Sequence, residues 1–102
     1  MKARLALATF ASVALRAAVA GETHAVMIEG MKFQPEMVIV KHGDTVVWHN
    51  TDVVPHTATG AGRFDSGLIP PGASWSWTAG QAGRVDYLCT YHPGMKAAVV
   101  VR

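Results

Sequence analysis

From Gly21 onward the chain is written in short apolar runs that never keep a helical period and are repeatedly broken by Gly, Pro, Asn or Asp. Thr23–Glu29 (THAVMIE), Glu36–Lys41 (EMVIVK), Thr45–Asn50 (TVVWHN), Ala73–Thr78 (ASWSWT), Arg84–Leu88 and Lys96–Val101 (KAAVVV) are rich in β-branched and aromatic residues. Such spacing predicts an all-β sandwich of one domain. Met31–Phe33 reads as a continuation of the first strand, and Thr51–Ser66 as a loop. Side chains alternate along a strand, so only one of the pairs Val46/Trp48 and Val47/His49 can face inward. By the same alternation Trp75 and Trp77 share a face, expected to be the core.

The first residues follow a different pattern. Lys2 and Arg4 precede an apolar stretch, Leu5–Leu15, and Ala18-Val19-Ala20 gives a small-x-small cleavage pattern. The expected organisation is a signal peptide over 1–20, cleaved near Ala20, and a domain over 21–102. The apolar stretch is too short for a spanning helix, so no stable membrane association is expected. Removing 1–20 takes Lys2, Arg4 and Arg16 away and leaves six basic against seven acidic residues, a net charge of −1 in place of +2. No basic patch remains to suggest nucleic acid.

Export sharpens the meaning of the lone Cys89. A single cysteine makes no intramolecular disulfide, and a free thiol in an oxidising compartment is exposed to oxidation unless buried or bound to metal. Cys89-Thr90-Tyr91-His92-Pro93-Gly94-Met95 places a thiolate, an imidazole and a thioether within one tight segment. That mixture of soft and borderline donors suits copper better than calcium, magnesium or structural zinc. His56, after Pro55, is the available second imidazole. Two His and one Cys with a weak axial Met form the donor set of blue-copper electron transfer. His24, His42 and His49 have no convincing metal-ligand spacing and read as surface histidines. No Ser-His-Asp set, carboxylate dyad or phosphate loop is evident, so the chain does not read as an enzyme.

These motifs resemble the cupredoxins, the small blue-copper proteins. The likeness runs through Phe33-x-Pro35, Val40-x-x-Gly43-Asp44-Thr45-Val46-x-Trp48-x-Asn50, Pro55-His56, and Gly83-x-x-Asp86-Tyr87-x-Cys89-x-x-His92-Pro93-x-Met95. The Cys-x-x-His-x-x-Met spacing is most similar to the amicyanins. The resemblance implies a cupredoxin-like Greek-key β-sandwich of about seven to eight strands. It also implies one type 1 Cu(I)/Cu(II) ion held by His56, Cys89 and His92 with Met95 axial. A monomeric periplasmic carrier is implied, shuttling single electrons between redox proteins such as a quinoprotein dehydrogenase and a c-type cytochrome. The rival reading is a periplasmic copper chaperone or buffer using the same donors. Two departures stand out: Thr57 replaces an Asn that ties the ligand loops together in amicyanins, and aromatics common in the family near Ala79 and Val85 are missing.

Overall fold

The structure, a computed structural model, describes residues 21–102. The expected signal peptide therefore lies outside the described residues. Nine strands form two facing sheets: β1 (Thr23–Glu29), β2 (Lys32–Gln34), β3 (Met37–Val40), β4 (Thr45–Asn50), β5 (Thr59–Gly60), β6 (Phe64–Asp65), β7 (Ser74–Thr78), β8 (Gly83–Cys89) and β9 (His92–Val101). One sheet has the order β2-β1-β4-β7, the other β3-β9-β8-β5-β6. The chain crosses between the sheets after β2, β3, β4, β6 and β7, and β1 pairs with β4, and β3 with β9, in parallel. The β-sandwich expected from the sequence is present, with nine strands where seven to eight were expected.

The excess comes from local features that periodicity does not register. Met31–Phe33 does not extend β1. Gly30 and Met31 both take positive φ, 61° and 62°, and turn the chain back so that β2 pairs antiparallel with β1. A two-residue turn with both central residues left-handed matches the twist of a hairpin, and Gly at the first position carries no penalty. The stretch read as a loop, Thr51–Ser66, contains the two-residue strands β5 and β6.

The core lies between the sheets. Val26, Ile28, Phe33, Val40, Val46, Trp48, Tyr87 and Val99 are buried. Val46 and Trp48 are thus the inward pair of β4, as one of the two expected registers. Trp75 and Trp77 do turn inward, but they are only half-buried because β7 is the edge of its sheet. Phe64 packs near Val85, its ring tilted against Trp77 and Trp48 with centroids 4.9 and 5.2 Å away. Gly60 makes this possible: a Cβ there would stand 2.6 Å from the Val85 Cγ1. Burial pushes the Tyr87 phenol up to about 12. The Trp48 indole N–H opposes that rise from nearby without completing a hydrogen bond.

Both ends of β4 are fixed by aspartates. Asp44, just before β4, accepts the Glu22 N–H at 2.9 Å, the Lys41 N–H at 2.9 Å and the His24 Nε2 at 2.9 Å. Those donors hold its carboxyl below the ordinary value, Lys41 N–H contributing most and burial opposing. Asp52, just after β4, serves the other end of the molecule, where the ligand candidates gather.

Candidate metal centre

Two strand ends and one loop bring the donors together. β8 delivers Cys89 inward, fully buried, two residues beyond the core residue Tyr87. The segment expected as a loop is more ordered than the sequence suggests. Thr90 and Tyr91 alone connect β8 to β9, and Cys89 pairs with His92 across an irregular register. That pairing sets thiol and imidazole beside each other. Met95 follows on β9, its side chain buried. His56 arrives from the segment after β4, pinned by a reciprocal backbone bridge to Ile69: His56 N–H donates at 3.2 Å and Ile69 N–H at 2.7 Å.

The geometry is that of donors spaced around an ion. His56 Nδ1 lies 3.7 Å and His92 Nδ1 3.6 Å from the Cys89 Sγ. Metal–sulfur and metal–nitrogen bonds of about 2.3 and 2.0 Å, opened to trigonal or tetrahedral angles, separate S from N by about 3.5–3.7 Å. All three donor atoms lie within 4.8 Å of one another. The imidazoles face edge to face across the thiol, ring centroids 5.0 Å apart. His56 is fully buried; His92 is only half-buried, and its ring reaches the surface beside Val54, Pro55, Leu68 and Tyr91.

Neighbouring groups hold this arrangement. The Thr57 N–H donates to the Cys89 Sγ at 3.4 Å, the kind of bond that tunes a metal-bound thiolate. Thr57 Oγ1 accepts the Thr90 N–H at 2.9 Å and lies 3.2 Å from Thr90 Oγ1. Thr57 therefore supplies the tie between the ligand loops that the loss of an Asn had put in question. Asn50, buried at the end of β4, donates from Nδ2 to the carbonyls of Val54 and Ile69, both at 2.9 Å, and so shapes the loop that carries His56.

The sequence reading passed over Asp52. Its Oδ2 accepts the His56 Nε2–H at 2.8 Å. This leaves Nδ1 as the bare nitrogen turned toward Cys89. Burial would raise the Asp52 carboxyl, but N–H groups of Met31, His56 and Gly30 outweigh it and hold the group below the ordinary carboxylate value. The available signal was a carboxylate four residues before a candidate ligand histidine, since such histidines usually donate their second N–H to a carboxylate or carbonyl.

The remaining histidines have local partners. His42 Nδ1 meets the Gly80 carbonyl at 2.9 Å, and His49 Nδ1 meets Ser74 Oγ at 2.6 Å. His24 groups with Glu22 and Asp44, but the Asp44 oxygens are already engaged by two backbone N–H groups. Among the described residues no helix is long and apolar enough to cross a membrane.

Comparison with known proteins agrees with the donor set. The profile of copper binding proteins of the plastocyanin/azurin family matches residues 20–102. Amicyanin-alpha of Methylorubrum extorquens is 38% identical over 109 residues, covering 97% of this chain and 87% of the relative. Amicyanin of Paracoccus versutus is 35% identical over 80 residues, 72% of this chain and 61% of the relative. The solved Cu(I) form of a methionine-to-alanine amicyanin variant superposes with a TM-score of 0.75 at 36% identity, covering 82% of this chain and 86% of that one. The chain belongs to the plastocyanin/azurin family of copper-binding proteins and is a cupredoxin of the electron-transfer class. Its cofactor is copper, and the His–Cys–His cluster with Met95 fits a type 1 site.

Proposed function

We propose that this cupredoxin is a periplasmic, monomeric single-electron carrier, not an enzyme, in which His56, Cys89, His92 and Met95 would hold the copper. The observation that carries the assignment is the pair of imidazole Nδ1 atoms at 3.6 and 3.7 Å from one buried sulfur. Bound copper supplies the one-electron couple. The protein's part is to keep four donors in an arrangement that serves both oxidation states, so that little has to move when an electron passes. With four donors in place no open position is left for a substrate, which argues against catalysis. The half-buried His92 edge is the exit for the electron. Around it Pro55, Leu68, Tyr91 and Pro93 form an apolar rim suited to brief docking. We assign the partners to the class of a c-type cytochrome on one side and a quinoprotein dehydrogenase on the other. Residues 1–20 would be removed on export, giving a chain that starts at Gly21.

Visible absorption and EPR spectra of the Cu(II)-loaded protein test the assignment. An intense thiolate-to-copper band with narrow hyperfine splitting is expected, and Cys89→Ser should abolish it. A pale spectrum with ordinary tetragonal copper signals, joined to rapid metal exchange, would favour the chaperone or buffer role instead. The mass of the protein recovered from the periplasm tests the cleavage point.

A further inference from the structure

The carboxylate of Asp52 touches more than His56. Its Oδ1 accepts the Gly30 N–H at 2.7 Å, and its Oδ2 accepts the Met31 N–H at 3.0 Å as well as the His56 Nε2–H at 2.8 Å. Gly30 and Met31 are the two left-handed residues of the β1–β2 turn. Successive amides in that conformation converge on one side and form a cradle for an anion. The Asp52 backbone N–H is fixed in turn by Asn50 Oδ1 at 3.0 Å. The carboxylate is thus gripped on one side by the turn and on the other by the buried imidazole. The same turn also faces the second ligand segment: Met31, Lys32 and Phe33 line one wall of a cleft of about 190 Å³ whose other wall is Gly94, Met95 and Lys96.

We propose that Asp52 is a positioning residue that makes the Gly30–Met31 turn a working part of the copper site. Through it the turn sets the tautomer and orientation of His56, and with them the reduction potential. The inference rests on the ligand assignment proposed above. Its physical basis is that a carboxylate accepting the outer N–H of a ligand imidazole raises the basicity of the inner nitrogen. A more basic donor favours Cu(II) over Cu(I) and lowers the potential. Met31 adds a reason to regard the turn as held in place. A non-glycine residue with positive φ is uncommon and costs energy, and the two hydrogen bonds that the turn donates to Asp52 offset that cost.

Three measurements on the full chain test the proposal. In the copper-free protein, nitrogen NMR of the imidazoles should show His56 as the Nε2–H tautomer, and Asp52→Asn should shift it toward a mixture. In the copper-loaded protein, Asp52→Asn should keep the visible band and raise the potential, and Asp52→Glu should bring the potential part of the way back. Copper affinity in Asp52→Asn should fall by about 10- to 100-fold, as is usual for partners of ligand histidines. Inserting one glycine after Gly30 alters the turn and leaves every site residue in place, and it should raise the potential in the same direction. An unchanged tautomer and potential in Asp52→Asn would overturn the positioning role. An unchanged potential in the insertion variant would overturn the part played by the turn. Should Asp52→Asn fail to fold, the tautomer of the parent protein and the insertion variant decide the matter. Absence of the visible band in the parent protein would instead reject the ligand assignment, a different result from either.

Discussion

Thr57 carries more of the site than its small side chain suggests. Its N–H points at the Cys89 sulfur, and its hydroxyl oxygen receives both the Thr90 N–H and the Thr59 hydroxyl. Thr57→Val keeps the backbone bond and the shape but deletes the hydroxyl, leaving the Thr90 N–H without its protein partner. The expected cost is about 1–2 kcal/mol, read by urea denaturation of the copper-free protein. Its visible band should survive, because the ligands and the bond to sulfur remain. Gly60 makes an opposite kind of demand, for empty space. Gly60→Ala drives a Cβ to 2.6 Å from the Val85 Cγ1 and against the Phe64 ring, and overpacking of this kind costs about 1–3 kcal/mol. A midpoint of thermal unfolding equal to the parent's would show that the sheets give way more easily than the contact implies. The two residues were not equally legible in the sequence. Thr57 stands beside a ligand candidate and was readable as a tie, whereas Gly60 looked like one flexible glycine among several until Phe64 and Val85 were placed against it.

At the level of strands and turns, Asp44 joins two segments. It holds the start of β1 through Glu22 and His24, and the β3–β4 turn through Lys41. Its carboxyl is held below the ordinary carboxylate value in the folded protein, first by the Lys41 N–H. A depressed folded value means that the native state favours the charged form. The stability gained is therefore fully present above the ordinary carboxylate value and is lost as the pH falls through the lower folded one. Asp44→Asn should be less stable at neutral pH and should lose less stability than the parent as the pH falls below the ordinary carboxylate value. Parallel acid limbs in the two unfolding curves would refute this. The strands themselves were readable because their alternation and bounding turns are strong local signals: Thr23–Glu29 and Thr45–Asn50 form as expected. The β1–β2 hairpin was missed because Met31, an apolar residue, occupies a left-handed turn position normally advertised by Gly or Asn. The grip of Asp52 on that turn was hidden for the same reason, whereas its bond to His56 had a local signal in the spacing of four residues.

For the molecule as a whole, the donor cluster and the proposed docking rim lie at one end. The buried donors lie beneath a surface where Val53, Leu68 and Tyr91 are exposed, and the polar ties among Asn50, Asp52 and Thr57 lie behind them. Leu68→Glu or Tyr91→Lys should slow electron exchange with a redox partner and leave the visible spectrum and the potential nearly unchanged, as stopped-flow kinetics and voltammetry would read. Loss of colour in either variant would mean that the rim also shapes the site. The ligand set was legible in the sequence because three donors sit in one segment. Much of what surrounds it was not, because the bonds from Thr57 to Cys89 and from Asp52 to the Gly30–Met31 turn join residues that lie far apart in the chain.

The bonds that bring the donors to one point, from Asp52 to His56 and from Thr57 to Thr90 and Cys89, run between protein groups alone. A cage braced in this way imposes its shape on the ion but discriminates little, since shape alone admits other thiophilic ions of similar size. Fidelity then passes from the protein to the cell, which must control which metal is on offer when the newly folded chain first meets one.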